Sequence, residues 1–367
     1  MRKMKILLLA LMLTFTSSYL FISKDKESVP VAKEIIVKQP ILESKVVIDS
    51  CVGVKDVFPT TCLTQYFQEL ASKTSFKESN ALLEKYAKES NGFDGLCHSI
   101  GHNFGAWSYE KYGSAVLKQV TDICGFSVGH GMLQEAGKLL PKAQFLKDFS
   151  DFCKYSQELS GCVHGYGHGL WQSKYNTIEI GVVCTGVAAS LQKLFPNNQD
   201  PLTSLCTEGW MMEDLINNPD FWGKDQTIEG AIALCKGLSG EAYYGCSDIA
   251  VSNWAISPKL YQKNPLLAEG RLTIFRDYCI SLDGIAENYC FGHLGYTIST
   301  VIAGATAGDK VAPRLIEFCS GDKSTYCIGS YINSIFGLLD GNVSFLTNLC
   351  KKLPDAWKEA CKNESTK

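Results

Sequence analysis

The sequence predicts an all-α protein: an array of two-helix repeats, a solenoid or a closed α/α ring, stapled by disulfides. Three observations point there. Sixteen cysteines fall mostly into close pairs. Apolar-periodic stretches flank those pairs, as in AQFLKDFSDFC before one and CIGSYINSIFGLL after another. A short phrase, cysteine followed by Gly-His and small or apolar residues, recurs at Cys97, Cys124, Cys162 and Cys290.

The chain has 367 residues, of which 46% are hydrophobic. That is ample for a core and excludes a disordered chain. Net charge is -3, with no basic stripe and no aromatic-basic motif, so no nucleic-acid partner is expected.

Residues 1–23 read as a signal peptide or an N-terminal membrane anchor. Arg2, Lys3 and Lys5 precede an uncharged run from Ile6 to Ile22. The small residues Ser17 and Ser18 are followed by further apolar ones, which leaves cleavage or retention open, and with it membrane anchoring. Either way the body is expected outside the cytoplasm, periplasmic, secreted or anchored. Sixteen cysteines agree, since an even number in an exported chain reads first as a disulfide framework. Residues 24–50 mix charge, Val and Pro without period and read as a spacer. Residues 51–361 form the Cys-rich helical-repeat domain, and 362–367 a tail.

Within that domain the expected pairs are Cys51 with Cys62, Cys153 with Cys162, Cys235 with Cys246, Cys279 with Cys290, Cys319 with Cys327, and Cys350 with Cys361. Turn-rich segments such as ISLDGIAENY and SGDKSTY lie between partners. The pattern is helix, cysteine, short turn, cysteine, helix, and closing such loops stabilises by roughly 2–3 kcal/mol each. Cys184 and Cys206 look like the same pair with LFPNNQDPLTS inserted. Cys97 would then join Cys124, linking neighbouring units. Cysteine positions 62, 97, 124, 162, 206, 246, 290, 327 and 361 mark units 27 to 44 residues apart, a repeat period of two helices. Strand signals are few; IEIGVVC is an exception.

All six histidines lie in the repeated phrase: His98, His102, His130, His164, His168 and His293. His98 and His102 are four apart, as are His164 and His168, so each pair shares one helix face. Two imidazoles so placed can share a metal ion. Repeats put equivalent positions on equivalent faces, so pair, single and pair should line one surface. The second residue after the cysteine is His164, then Glu208, then Asp248 in successive units. Carboxylates there can act as outer ligands or as a general base on a metal-bound water. Gly101, Gly105, Gly129, Gly131, Gly165, Gly167 and Gly169 crowd the same stretches, each costing about 1 kcal/mol in a helix interior relative to alanine. Close helix approach or close ligand approach would explain them. Trp107, Trp171, Trp210 and Trp254 follow and can wall a pocket.

Sharper motifs are missing. There is no His-Glu-x-x-His and no Cys-x-x-Cys-His. Gly125-Phe-Ser127-Val-Gly129 matches a nucleophile elbow, but an elbow needs a preceding strand. Two functions stay in view. One is an exported metal-binding protein, with zinc, copper or iron on the histidines, and possible hydrolytic or oxidative metalloenzyme chemistry using Glu208 and Asp248. The other is a non-catalytic helical scaffold that binds protein or glycan on its concave face.

Overall fold

The computed structural model describes residues 46–47, 50–51, 59–89, 94–121, 123–149, 152–156, 158–217, 227–256, 265–303, 311–320, 323–338 and 343–364. The signal or anchor segment and most of the spacer lie outside them. So does the tail beyond Glu364, the last residue of the final helix.

Among the described residues the fold is helical throughout, with no β-strand. The helices are α1 (Pro59–Lys73), α2 (Phe76–Glu89), α3 (Asp94–Tyr112), α4 (Ile123–Leu139), α5 (Lys142–Phe149), α6 (Leu159–Gln172), α7 (Thr177–Leu194), α8 (Leu202–Asn217), α9 (Ile228–Ala233), α10 (Gly240–Ile256), α11 (Pro265–Ile280), α12 (Gly284–Ala303), α13 (Val311–Phe318), α14 (Ser324–Leu338), α15 (Val343–Lys352) and α16 (Asp355–Glu364). None described is long and apolar enough to cross a membrane.

The stretch IEIGVVC, strand-like in composition, is helical within α7. Asn176 decides this by closing a capping box: its side chain accepts from the backbone of Ile178 and Glu179, while Glu179 accepts from the Asn176 backbone. Ile180, Cys184, Val187 and Leu191 then fall on one buried face. Ile178 and Val182 are left exposed. Helical period thus wins over β-branching, because the cap sets the register before the apolar run begins.

All sixteen cysteines are paired. The bridges are Cys51–Cys62, Cys97–Cys124, Cys153–Cys162, Cys184–Cys206, Cys235–Cys246, Cys279–Cys290, Cys319–Cys327 and Cys350–Cys361. Most tie a helix to the segment just before it. Cys97–Cys124 differs, joining the starts of α3 and α4. So complete an oxidation points to an oxidising, extracytoplasmic compartment.

Seven helices form an interior row, and each carries near its start a cysteine that is the second of its pair, except α3, which carries Cys97, the first of its pair. In order, α3, α4, α6, α8, α10, α12 and α14 pack each on the next, and α14 touches α3. Their apolar faces meet in one core that includes Phe104, Val128, Leu133, Val163, Tyr166, Met211, Val251, Leu294 and Ile328.

Glycines set how closely these helices approach. A methyl group at Gly131 on α4 would overlap the His102 carbonyl on α3. One at Gly209 on α8 would overlap the His164 carbonyl on α6. The glycine following a site residue therefore seats its helix on the backbone of the preceding site residue. Of the two explanations for the glycines, close helix approach accounts for these positions.

Candidate metal centre

Each interior helix carries its cysteine within the first two turns, and the candidate residues follow within six residues of it. His98 and His102 lie on α3, His130 on α4, His164 and His168 on α6, Glu208 on α8, Asp248 on α10 and His293 on α12. They lie one to six residues past the anchoring cysteine, and the glycine-limited crossings set how closely their helices approach.

Five imidazoles become contiguous. Ring centroids are 4.8 Å apart for His98 and His102, 5.5 Å for His98 and His130, and 5.1 Å for His102 and His130. His168 lies 5.3 Å from His102 and 5.7 Å from His130, and His164 lies 5.4 Å from His130 and 4.9 Å from His168. His102 and His168 meet although α4 runs between their helices, so the row is concave on this side. One nitrogen each from His98, His102 and His130 lies within 4.8 Å of the others, a group that can hold a metal ion.

Hydrogen bonds fix which nitrogen of each ring is free. His98 Nδ1 lies 3.0 Å from the Cys124 carbonyl, which can only accept, so Nδ1 carries the proton and Nε2 keeps its lone pair. The carbonyl reaches His98 because Cys124, Gly125 and Phe126 turn through left-handed backbone, with φ of 55°, 63° and 61°. Two of these three are not glycine, at a cost of about 1–2 kcal/mol each. His130 Nε2 donates to the Gly161 carbonyl at 2.6 Å, which leaves Nδ1 as the acceptor, 3.2 Å from His102 Nε2. Ligands about 2.0 Å from a tetrahedral ion sit about 3.3 Å from each other, so this separation fits two donors of one ion.

His168 is held from the far side. Its Nδ1 donates to Glu213 Oε1 at 3.0 Å, and its Nε2 is buried without a hydrogen-bond partner. Glu213, only 4% exposed, also accepts from Gln134, Gln172 and Asn217. A carboxylate on one imidazole nitrogen, with the other bare, is the arrangement that orients a metal ligand and raises its basicity. Sequence reasoning missed Glu213. Its signal was the acidic pair Glu213-Asp214 inside an otherwise apolar helical run, GWMMEDLI, at a position absent from the repeated phrase.

Electrostatics divide the set in two. Burial, reinforced by repulsion among the imidazoles, holds His102, His130 and His164 well below the ordinary imidazole range. These rings are neutral at neutral pH, the state that binds metal. For His293 burial acts downward as well, but Glu208 and then Asp248 outweigh it and push its pKa up to about 9. Burial holds the Asp248 carboxyl well above the usual range, with His293 opposing and Glu208 adding.

Glu208 and Asp248 are not part of the His98, His102 and His130 group. The ion pairs of Glu208 run to His164, at 3.8 Å, and to His293, at 3.4 Å. The tryptophans are occupied elsewhere: Trp107 stacks on Phe104, Trp171 donates to Asp214, Trp210 to the Tyr175 carbonyl, and Trp254 lies under Arg271. Ser127 follows the left-handed turn rather than a strand, and its buried hydroxyl abuts Gly101. The elbow reading has no strand to stand on among the described residues.

Comparison with known proteins adds no name to this site: no protein-family model, curated protein or solved structure matches the chain.

Proposed function

We propose that this is an exported metal-binding protein whose ion is held by His98, His102, His130 and His168 on the inner face of a curved, ring-like array of two-helix repeats. The observation that carries the reading is the fit of lone pairs. His98 Nε2, His130 Nδ1 and His168 Nε2 keep their lone pairs once the other nitrogen of each ring has donated, His102 Nε2 lies 3.2 Å from His130 Nδ1, and rings from three helices crowd within 5.7 Å of a neighbour. Packing alone gives no reason for three imidazole acceptors gathered about a fourth ring, one of them buried without a partner.

The donors are borderline nitrogens with no thiolate, which suits zinc, copper or iron. His98 is exposed and forms the rim, while His130 and His168 are each 2% exposed and form the floor. An ion at such a rim is reachable by water or a small substrate, which hydrolytic or oxidative chemistry requires and a purely structural site does not.

The test is elemental analysis of the exported, oxidised chain after mild purification. The reading expects bound transition metal, lowered in His102→Ala and in His168→Ala with helix content and disulfides intact. A wild type without metal, with variants that merely melt earlier, leaves the non-catalytic scaffold as the better account.

A further inference from the structure

One bridge is unlike the rest. Of the sixteen cysteines, Cys124 alone is not buried. Its bridge to Cys97 has both ends in the interior row, at the starts of α3 and α4. Both ends also fix the same candidate ligand. Cys97 directly precedes His98 in the chain. The Cys124 carbonyl accepts from His98 Nδ1 at 3.0 Å, which orients the ring and leaves Nε2 for an ion.

That carbonyl is aimed by the left-handed backbone of Cys124, Gly125 and Phe126. Two of these residues carry a Cβ that disfavours the conformation, so it lasts only while its surroundings hold it. Phe126 is held by packing on His130 and Phe152. Gly125 is exposed, so the bridge is what secures the Cys124 end. The rest of the α3–α4 contact does not depend on it. Methyl groups at Gly101 and Gly105 on α3 would overlap the Ser127 side chain and the Val128 carbonyl on α4, so the two helices interlock along their length. His130 keeps its hydrogen bond to Gly161, and His168 keeps Glu213. Opening this bridge therefore frees one ring and leaves the others in place.

On the four-histidine reading of the site, we propose that Cys97–Cys124 is a thiol-exchange site through which an external dithiol disconnects His98 from the ion. The attacking thiolate bonds to the accessible Cys124 sulfur and expels Cys97 as thiolate. The second thiol of the reagent then attacks its own mixed disulfide and leaves Cys124 reduced. Two electrons pass to the bridge, both protons of the dithiol end on the cysteines, and the reagent becomes a cyclic disulfide. The turn at Cys124 relaxes, its carbonyl leaves His98, and Nε2 is no longer presented. The freed thiolates compete for the same ion, so both effects draw it off the imidazoles.

The experiment begins with the full, oxidised, metal-free chain. It is treated with limiting dithiothreitol without denaturant, alkylated and mapped by mass spectrometry. Cys97 and Cys124 should carry the first label, and any other bridge opening first overturns the proposal. Metal release is read on Cys97→Ser with Cys124→Ser, which opens the bridge without adding thiolates, by Zn2+ competition against a coloured chelator. Affinity should fall about 10–100-fold with helix content kept, the usual worth of an orienting partner. Adding His98→Ala should then cost nothing further, since the two changes act through one ring. Cys350→Ser with Cys361→Ser should leave affinity unchanged, and an equal fall there would mean general loosening and overturn the proposal. If the first serine pair does not fold, the alkylated chain takes its place in the competition. Affinity within twofold of wild type in the opened protein overturns the proposal and leaves the four-histidine reading standing. A wild type that binds no Zn2+ defeats that reading and this proposal with it.

Discussion

Glu213→Gln separates a metal ligand's support from ordinary packing at one atom's change. Glu213 accepts from His168 and Gln134 on Oε1, and from Gln172 and Asn217 on Oε2. Whichever oxygen becomes an amide nitrogen, two donors then face a donor. Hydrogen bonds to a charged group are worth about 1.5–3 kcal/mol each, so the gross loss is about 3–6 kcal/mol. Relief from burying the carboxylate returns part of it, leaving a net destabilisation of about 2–4 kcal/mol. The more informative effect is on the ion. Without its carboxylate partner His168 is less basic and free to rotate, and such outer partners are typically worth 10–100-fold in metal affinity. The assay is competition of the purified chain against a coloured chelator, beside urea unfolding of the metal-free form. Unfolding that shifts as expected while metal affinity stays within twofold of wild type would refute the role given to His168. Loss of affinity with Gln172→Ala as well, which removes a neighbour of Glu213 and no ligand, would point to general loosening instead.

Stability of the metal-free chain should peak near pH 6.5. His102, His130 and His164 have folded pKa values below their unfolded ones, so unfolding takes up protons below about 6.5 and stability falls as pH drops, by up to about 1.4 kcal/mol per unit per ring. His293, raised to about 9, acts oppositely: its contribution is complete below 6.5 and is lost as pH rises toward 9. A pH series of urea midpoints checks both limbs, and a monotonic rise from pH 5 to 9 contradicts the assignment for His293. Gly131→Ala should improve intrinsic helix propensity by about 1 kcal/mol yet destabilise overall by about 1–3 kcal/mol, because its methyl group meets the His102 carbonyl. It should also weaken metal binding without removing a ligand, read by the same competition assay; wild-type affinity would mean the α3–α4 crossing does not set the site.

Much of this was legible in the chain because the information is local or repeated. Cysteines eight to eleven residues apart pair across a short turn, whereas the sequence left the longer links Cys97–Cys124 and Cys184–Cys206 open. The His98, His102 and His130 group was legible because the repeated phrase confines all six histidines to the few residues after a cysteine. What did not show was anything carried between helices. Glu213 reaches His168 across the α6–α8 contact from a position the repeat does not mark. The division of six histidines into two groups depends on helix curvature, which brings His293 to Glu208 past α10. The glycines were ambiguous for the same reason, since only the neighbouring backbone distinguishes a crossing from a ligand pocket.

The complete pairing of the cysteines has a consequence for the order of events in the life of the chain. Before oxidation it carries sixteen thiols, and thiolates outcompete imidazoles for zinc and for reduced copper. An ion met at that stage would be trapped at cysteines and would obstruct their pairing. Once the bridges close, no thiolate remains and the imidazoles are the strongest donors left. On the proposed reading oxidation therefore has to precede loading, and the oxidising environment that the bridges require would select the ligands as well as securing the scaffold.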